Sequence, residues 1–214
     1  MATAERLIAE HGVASVSSRQ ISEAAGQGNN AAVGYHFGTK SDLIRAIVHR
    51  HDEGIEQFRR QMVDRVQIDG ADTGTDIGTV RAWVECLVRP LTDHLAAVGR
   101  TSWYARFSLQ VSTDPVLREL VSEAVLASPS IGRISEGLRP GLAALPPLVR
   151  TEREEMVRSL ILHTCADRER ALDVSGDAPR PAWERTAGML VDAITGLLLA
   201  PASSVLCEEF KSDA

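Results

Sequence analysis

Apolar residues recur every three or four positions along most of the chain, which is the spacing of one face of an α-helix. Short polar stretches rich in Gly, Pro, Asp and Asn separate these segments, and the alternating or β-branched runs that indicate strands are missing. The pattern therefore predicts an all-α protein. Its helices are expected over residues 3–11, 17–25, 31–37, 40–66, 80–98, 101–112, 115–127, 130–138, 147–165 and 183–200.

The segment 17–40, SSRQISEAAGQGNNAAVGYHFGTK, has the clearest local signals. Ser17 and Gln20 have the spacing of a capping box, and a Gly/Asn-rich turn separates two short helices. Gly26 and Gly38 end these helices, and Thr39-Lys40-Ser41-Asp42 is a second capping signature. Two short helices joined by a tight turn are typical of a helix-turn-helix that places one helix in the DNA major groove.

A long third helix follows this segment. Its apolar residues fall on one stripe, which we expect to be buried: Leu43, Ile44, Ile47, Val48, Ile55, Phe58, Met62 and Val66.

The runs IxxAAG, NNAAVGYHF and GTKSDLIRAI together resemble the N-terminal domain of the tetracycline-repressor (TetR) family of transcription regulators. The resemblance covers residues 4–48. It implies a three-helix DNA-binding domain at residues 1–46 and a helical domain for effector binding and dimerisation at residues 47–214. The turn is about one residue longer than the family pattern, and Gly34 stands where the family commonly has a tyrosine.

The predicted DNA contacts follow from side-chain chemistry. Amide groups in the turn can pair with adenine edges, small residues allow close approach, and hydroxyl, imidazole and ammonium groups suit phosphates. Arg19 is the best candidate for a guanine contact, and the resemblance implies that this position often reaches a base. Each residue has a plainer alternative as a turn former, helix cap or packed side chain. The candidates are Ser17, Ser18, Arg19, Asn29, Asn30, Ala31, Ala32, Tyr35, His36 and Lys40.

The charge distribution fits a small DNA-binding surface. The chain has a formal net charge of −6, which argues against a general polyanion binder. Residues 1–60 carry equal numbers of basic and acidic side chains, so the excess negative charge lies in the remainder. A neutral N-terminal segment (the front of the chain) followed by an acidic remainder (the body) favours DNA binding through one face of the front.

The body carries no catalytic signature, so we do not expect an enzyme, a cofactor or a metal site. Cys86, Cys165 and Cys207 are widely spaced, which favours a reducing cytoplasm over a disulfide framework. No apolar run is long enough to span a membrane.

Two helices of the body have broad apolar faces with small residues beside them. Such faces predict either an internal core or a four-helix interface between two copies of the chain, and the resemblance favours a homodimer. The interface candidates are Met156, Leu160, Thr164, Met189, Ala193, Gly196 and Leu197.

Aromatic residues are concentrated in the middle helices, where they form either ordinary core or the lining of a mostly apolar pocket. The resemblance implies an unidentified small-molecule effector. The candidate lining residues are Trp83, His94, Trp103, Phe107 and His163. The sequence thus predicts a cytoplasmic homodimer that binds a palindromic operator in double-stranded DNA, most simply as a repressor released by its effector. The alternatives are a regulator without a ligand, an activator, and a helical scaffold or enzyme in which the front helices only pack.

Overall fold

The computed structural model describes residues 1–26, 32–68, 75–126 and 128–203. Within them the chain forms ten α-helices, two 3-10 turns and no strand. No helix in this part of the chain is both long and apolar enough to cross a membrane. The helices are α1 Ala2–His11, α2 Ser18–Ala24, α3 Ala32–Phe37, α4 Lys40–Ile68, α5 Ile77–Val98, α6 Tyr104–Thr113, α7 Pro115–Leu126, α8 Pro129–Leu138, α9 Pro147–Val174 and α10 Pro179–Leu199.

The predicted all-α class is confirmed, and most helix ends fall within a few residues of their predicted positions. Gly12, Gly26, Gly38 and Gly99 have positive φ angles at ends of helical segments, as expected for residues without a Cβ.

Two helices of the body are longer than the sequence pattern indicates. Helix α9 continues past Cys165 to Val174, and α10 begins at Pro179 rather than at Trp183. Prolines at the start of α10 were interpreted as breakers, but proline is well tolerated in the first helical turn because the N–H that it lacks has no partner there. Helix α6 begins at Tyr104, after the 3-10 turn Gly99–Thr101.

The buried face of α4 is rotated from the predicted stripe. Phe58 is 48% exposed, so its prediction as a buried residue is wrong, whereas His51, Arg59 and Val63 are buried. Two of these three are polar. They continue the spacing of the apolar stripe because His51 has polar partners on α1 and α5 and Arg59 pairs with Glu56 on α4, which a count of apolar positions cannot detect.

Two clusters of apolar side chains form the core. The larger one runs through the front helices and along α5, α6, α9 and α10, and the smaller one joins α4, α5 and α8 around Trp83. Helix α8 approaches Trp83 so closely that a Cβ on Gly137 would lie 2.0 Å from the indole ring. This glycine therefore sets the spacing of α5 and α8.

A buried ion pair fixes α6 against α9. Glu169 accepts hydrogen bonds from the backbone N–H groups of Ala105 and Arg106 at 3.1 and 3.0 Å, and from Arg106 Nε at 3.0 Å. Arg106 also contacts Asp173 at 2.7 Å. The carboxylate thus satisfies N–H groups in the first turn of α6 that have no partner within the helix.

Candidate nucleic-acid interface

Helices α2 and α3 form the two arms of the predicted helix-turn-helix. Ser17 caps α2 as predicted: its Oγ accepts from the Gln20 backbone N–H at 3.2 Å, while the Gln20 side chain accepts from the Ser17 backbone N–H at 2.8 Å. Buried Ile21 and Val33 pack the two arms into the larger apolar cluster. The polar faces of both arms are thereby left to solvent.

The described DNA-contact candidates lie on that solvent-facing side. Arg19 has an exposed side chain that pairs with Glu23 at 2.7 Å, so it must exchange this partner to reach a base. Tyr35 is 84% exposed, and its ring meets that of the exposed His36 edge-to-face.

The remaining candidates divide in two. Ser17 is exposed and Ser18 half-buried at the start of α2. Asn29, Asn30 and Ala31 lie outside the described residues, and Ala32 begins α3. Their DNA contacts stay predictions.

Lys40 has a role that the sequence did not indicate. Its Nζ donates to the backbone carbonyls of Val13 and Val16 at 2.8 and 2.9 Å, in the loop between α1 and α2. These contacts take two of the three N–H donors of the ammonium group. Lys40 is therefore a structural clamp of the loop in the DNA-free chain, and only the third donor remains for the predicted phosphate contact.

The start of α4 is capped as its sequence indicates. Asp42 accepts from the Thr39 hydroxyl and backbone N–H, and these bonds, aided by Arg45, lower the pKa of its carboxyl. The reciprocal bond runs from the Asp42 N–H to the Thr39 hydroxyl at 3.1 Å. This second capping box orients α4, the helix that links the front domain to the body.

Behind the front helices lies a buried polar cluster that joins four helices. His51 of α4 has its Nε2 3.1 Å from Glu5 Oε2 on α1 and its Nδ1 2.8 Å from His94 Nε2 on α5. The His51 ring stacks on Tyr104 of α6, with centroids 3.9 Å apart. Arg50 lies 3.6 Å from the same Glu5 oxygen. Glu5, His51 and Tyr104 are all at least nine-tenths buried.

The electrostatics of this cluster favour neutral rings. Burial, together with His51 and Arg50, lowers the pKa of His94 to about 4. Burial is also the main cause that raises the pKa of the Tyr104 phenol. His94 is therefore uncharged near neutral pH and can act only as a neutral donor and acceptor.

The predicted effector-binding residues do not come together. Phe107 is fully buried in the larger core cluster, and Trp83 lies in the smaller one. Trp103 packs under the Arg106 guanidinium, His94 belongs to the polar cluster, and His163 is exposed on α9, where its Nδ1 lies 2.9 Å from the Ser159 carbonyl. Of the two alternatives for the aromatic concentration, the core describes Phe107 and Trp83, and an effector contact of the five candidates stays a prediction.

A cavity of about 190 Å³ opens elsewhere, between α4 and the junction of α7 and α8. At its floor Glu56 Oε2 accepts from Arg59 and from the Ser128 hydroxyl, both at 2.9 Å. Burial alone would raise the pKa of Glu56, but bonds from Ser130, Ser128 and Arg59 outweigh it and lower that pKa. Within the described part of the chain, Glu56 Oε1 and Arg59 Nε are buried and have no hydrogen-bond partner. The lining residues are His49, Asp52, Glu53, Glu56, Arg59, Val125 and Ser128.

The predicted dimer residues are not closed off in the core. Met156 and Met189 are 52% and 59% exposed, and Ala193 and Gly196 are exposed beside Met189 on α10. Leu160, Thr164 and Leu197 are partly exposed. These residues are all at least partly exposed on α9 and α10, and dimerisation through them stays a prediction.

Sequence reasoning missed Glu5, His51, Glu56 and Arg59. One signal was available for two of them, because His51 and Arg59 lie four residues before and after the buried Ile55. A polar residue at a core-facing position must find a buried partner, so its spacing alone marks it for attention.

Residues 1–47 match the family model described as bacterial regulatory proteins, tetR family. The comparisons with curated proteins and with solved structures found no match. The match covers α1, α2, α3 and the start of α4, which are the elements that present the exposed face described above. Residues 1–47 are thus similar to the DNA-binding domain of transcription regulators of the tetR family.

Proposed function

We propose that this protein is a cytoplasmic homodimeric repressor that binds a palindromic operator and leaves it when a small effector binds. The observation that carries the proposal is the family match over residues 1–47 together with the exposed polar face of α2 and α3. Two such faces related by a dyad read half-sites about one helical turn apart or slightly more. Arg19 and the turn residues Asn29 and Asn30 would read bases, while Ser17, Ser18, Tyr35, His36 and Lys40 would contact phosphates.

The test is a gel shift with the DNA that flanks the protein's own coding region, using random DNA as competitor. We expect a shift that resists the competitor and that weakens steeply as salt rises, because phosphate contacts release counterions. If neither this DNA nor a selection from random sequences yields a preferred site, the proposal is wrong and the scaffold or enzyme alternative takes its place.

For the effector, the cavity beside α4 is the best-supported site. Three carboxylates, Asp52, Glu53 and Glu56, line the cavity with Arg59 and His49, so the lining has more acidic than basic groups and favours a cationic ligand. Among the described residues Arg59 Nε has no acceptor, and a ligand that carries an ammonium beside an acceptor oxygen would pair with both Glu56 and Arg59. Val125 offers an apolar contact. We therefore propose a small organic cation that wedges between α4 and the α7–α8 junction.

This effector site can be tested without DNA. Ethanolamine and tyramine supply the ammonium group, with ethylene glycol and 4-ethylphenol as uncharged counterparts. We expect at least one amine to raise the melting temperature and its uncharged counterpart not to. Glu56→Gln should abolish the shift, whereas Glu136→Gln, an exposed carboxylate on α8, should preserve it. Equal shifts with charged and uncharged probes would contradict the proposed ligand class.

A further inference from the structure

The polar cluster behind the DNA-binding helices forms a chain of hydrogen bonds from α1 to α5. Its links are Glu5 Oε2 to His51 Nε2 at 3.1 Å and His51 Nδ1 to His94 Nε2 at 2.8 Å. Glu5 belongs to the front domain, whereas His94 belongs to the body. His51, on the helix that connects them, uses both ring nitrogens in these links, and Arg50 also approaches its Nε2 at 3.5 Å.

The directions of these bonds follow from the donors and acceptors available to each ring. Glu5 offers a carboxylate oxygen that can only accept, and Arg50 approaches the same oxygen at 3.6 Å. A neutral His51 that donates from Nε2 to Glu5 must accept at Nδ1, and the donor is then His94 Nε2–H. His94 Nδ1 remains bare and faces Gly54, where an added Cβ would lie only 3.2 Å from it. Each proton in the chain thus has one defined position.

We infer that Glu5, His51 and His94 are positioning residues for DNA reading, because they fix the orientation of α1 and its domain relative to the body. The inference rests on the proposed DNA-binding function and adds to it how the reading surfaces are held. A movement of α4 that separates His51 Nδ1 from His94 Nε2 breaks the 2.8 Å link, since hydrogen bonds weaken steeply beyond about 3.2 Å. His51 then loses the partner that fixes its tautomer, and the buried Glu5 loses a reliable donor.

Packing against α6 also limits how α1 can move relative to the body. The His51 ring is held on one face by Tyr104 at 3.9 Å, and Tyr104 in turn stacks on Phe107. Gly12 at the end of α1 lies against Gln110 of α6, where an added Cβ would lie 3.2 Å from the amide oxygen. Helix α1 therefore rests on α6 at one end and is tied through His51 at the other. It can turn relative to the body only by breaking the tie.

The test separates positioning from general stability by comparing His94→Ala with His94→Gln. The glutamine amide can donate to His51 Nδ1 and restores the link, whereas alanine cannot. His11→Ala, an exposed histidine of α1, is the control. We expect His94→Ala to lower affinity for the operator about tenfold, in the usual range for coupling between sites, and His94→Gln to recover to within about threefold. The control should leave affinity unchanged.

A second readout needs no DNA. The imidazole ¹⁵N shifts should show His51 and His94 both protonated at Nε2 and bare at Nδ1, and His94→Ala should change the His51 shifts and speed amide exchange in α1. If these shifts show another tautomer, or if α1 exchange and affinity are unchanged in His94→Ala, the inference is overturned. Failure of the wild-type protein to bind any DNA would instead contradict the proposed function, since the NMR and exchange results do not depend on DNA.

Discussion

At the scale of single residues, His94 gives the chain a specific dependence on pH. Its pKa is lowered to about 4 in the fold from 6.5 in a free side chain, so the unfolded chain binds more protons between these values. The contribution of His94 to the free energy of unfolding is therefore fully present above about pH 6.5 and is lost as the pH falls toward 4. The ring is only partly buried, so we expect a loss of about 1–2 kcal/mol after discounting for solvent screening.

The groups that face His94 are His51 and Arg50 on α4 and Glu5 on α1, while α6 contributes the Tyr104 ring, with centroids 6.3 Å apart. Urea midpoints at pH 7.5 and 5 measure the effect. The difference between the two midpoints should be smaller in His94→Gln than in the wild type, because glutamine does not titrate. An equal difference would assign the pH dependence to other groups.

Lys40 provides a second test at this scale. Lys40→Met keeps the aliphatic stem but leaves the Val13 and Val16 carbonyls without their shared donor. Hydrogen bonds from a charged donor are worth about 1.5–3 kcal/mol each. The free energy of unfolding of Lys40→Met, measured in urea, should therefore be lower than that of the wild type by at least about 1.5 kcal/mol.

Arg45→Met is the matched control on the same helix. Arg45 forms an exposed ion pair with Asp42 at 2.8 Å, and such pairs contribute about 0–1 kcal/mol. Equal losses from both variants would show that the Lys40 contacts add nothing to stability. Weaker DNA binding by Lys40→Met at equal stability would point instead to a phosphate contact.

At the scale of helices, replacing glycine by alanine should have opposite effects on stability in α3 and in α8. In the described structure nothing lies within 4 Å of a Cβ added to Gly34, so Gly34→Ala should stabilise the free protein by roughly 0.5–1 kcal/mol through helix propensity. Gly137→Ala would drive a Cβ into the Trp83 ring at 2.0 Å and should destabilise by about 3 kcal/mol or more. Thermal melts of the two variants should move in opposite directions. A fall for Gly34→Ala would mean that α3 needs its flexibility.

Local signals were sufficient for the helices but not for the polar interior. Capping at Ser17 and Thr39 and the glycine stops depend on residues close in sequence, so the sequence predicted them. The contacts of His51 with Glu5 and His94 join residues more than forty positions apart. Nothing in a single helix pattern indicates which distant side chain will satisfy a buried imidazole. The aromatic residues illustrate the same limit. Spacing shows that a ring faces inward, but it does not show whether a cavity or packed atoms lie beside the ring.

At the scale of the whole molecule, helix α4 connects the proposed effector cavity to the polar cluster behind the DNA-binding helices. It carries the cavity residues Glu56 and Arg59, and five residues before Glu56 it carries His51 of the polar cluster. A ligand that moves α4 at the cavity must also strain the link to His94. Effector response and positioning of the DNA-binding surface therefore depend on one rigid element, as expected for a coupling carried by a two-state contact.

The proposed dimer supplies the last prediction. Met189 is 59% exposed on α10, next to exposed Ala193 and Gly196, so Met189→Lys should be tolerated in a single chain. In a two-fold interface the substitution occurs twice and places two ammonium groups in an apolar contact, so we expect the dimer dissociation constant to rise at least about tenfold. Val116→Lys, at a 71% exposed position on α7, is the control and should leave the dimer intact.

Analytical ultracentrifugation measures the dissociation constant, and gel shifts at the same concentrations measure its consequence. A Met189→Lys monomer should keep its helical circular dichroism yet bind the operator much more weakly, because the second half-site is no longer held at a high effective concentration. If the variant stays dimeric and binds as the wild type does, the exposed surface of α9 and α10 is not the interface. The two reading surfaces would then be joined through another face of the body.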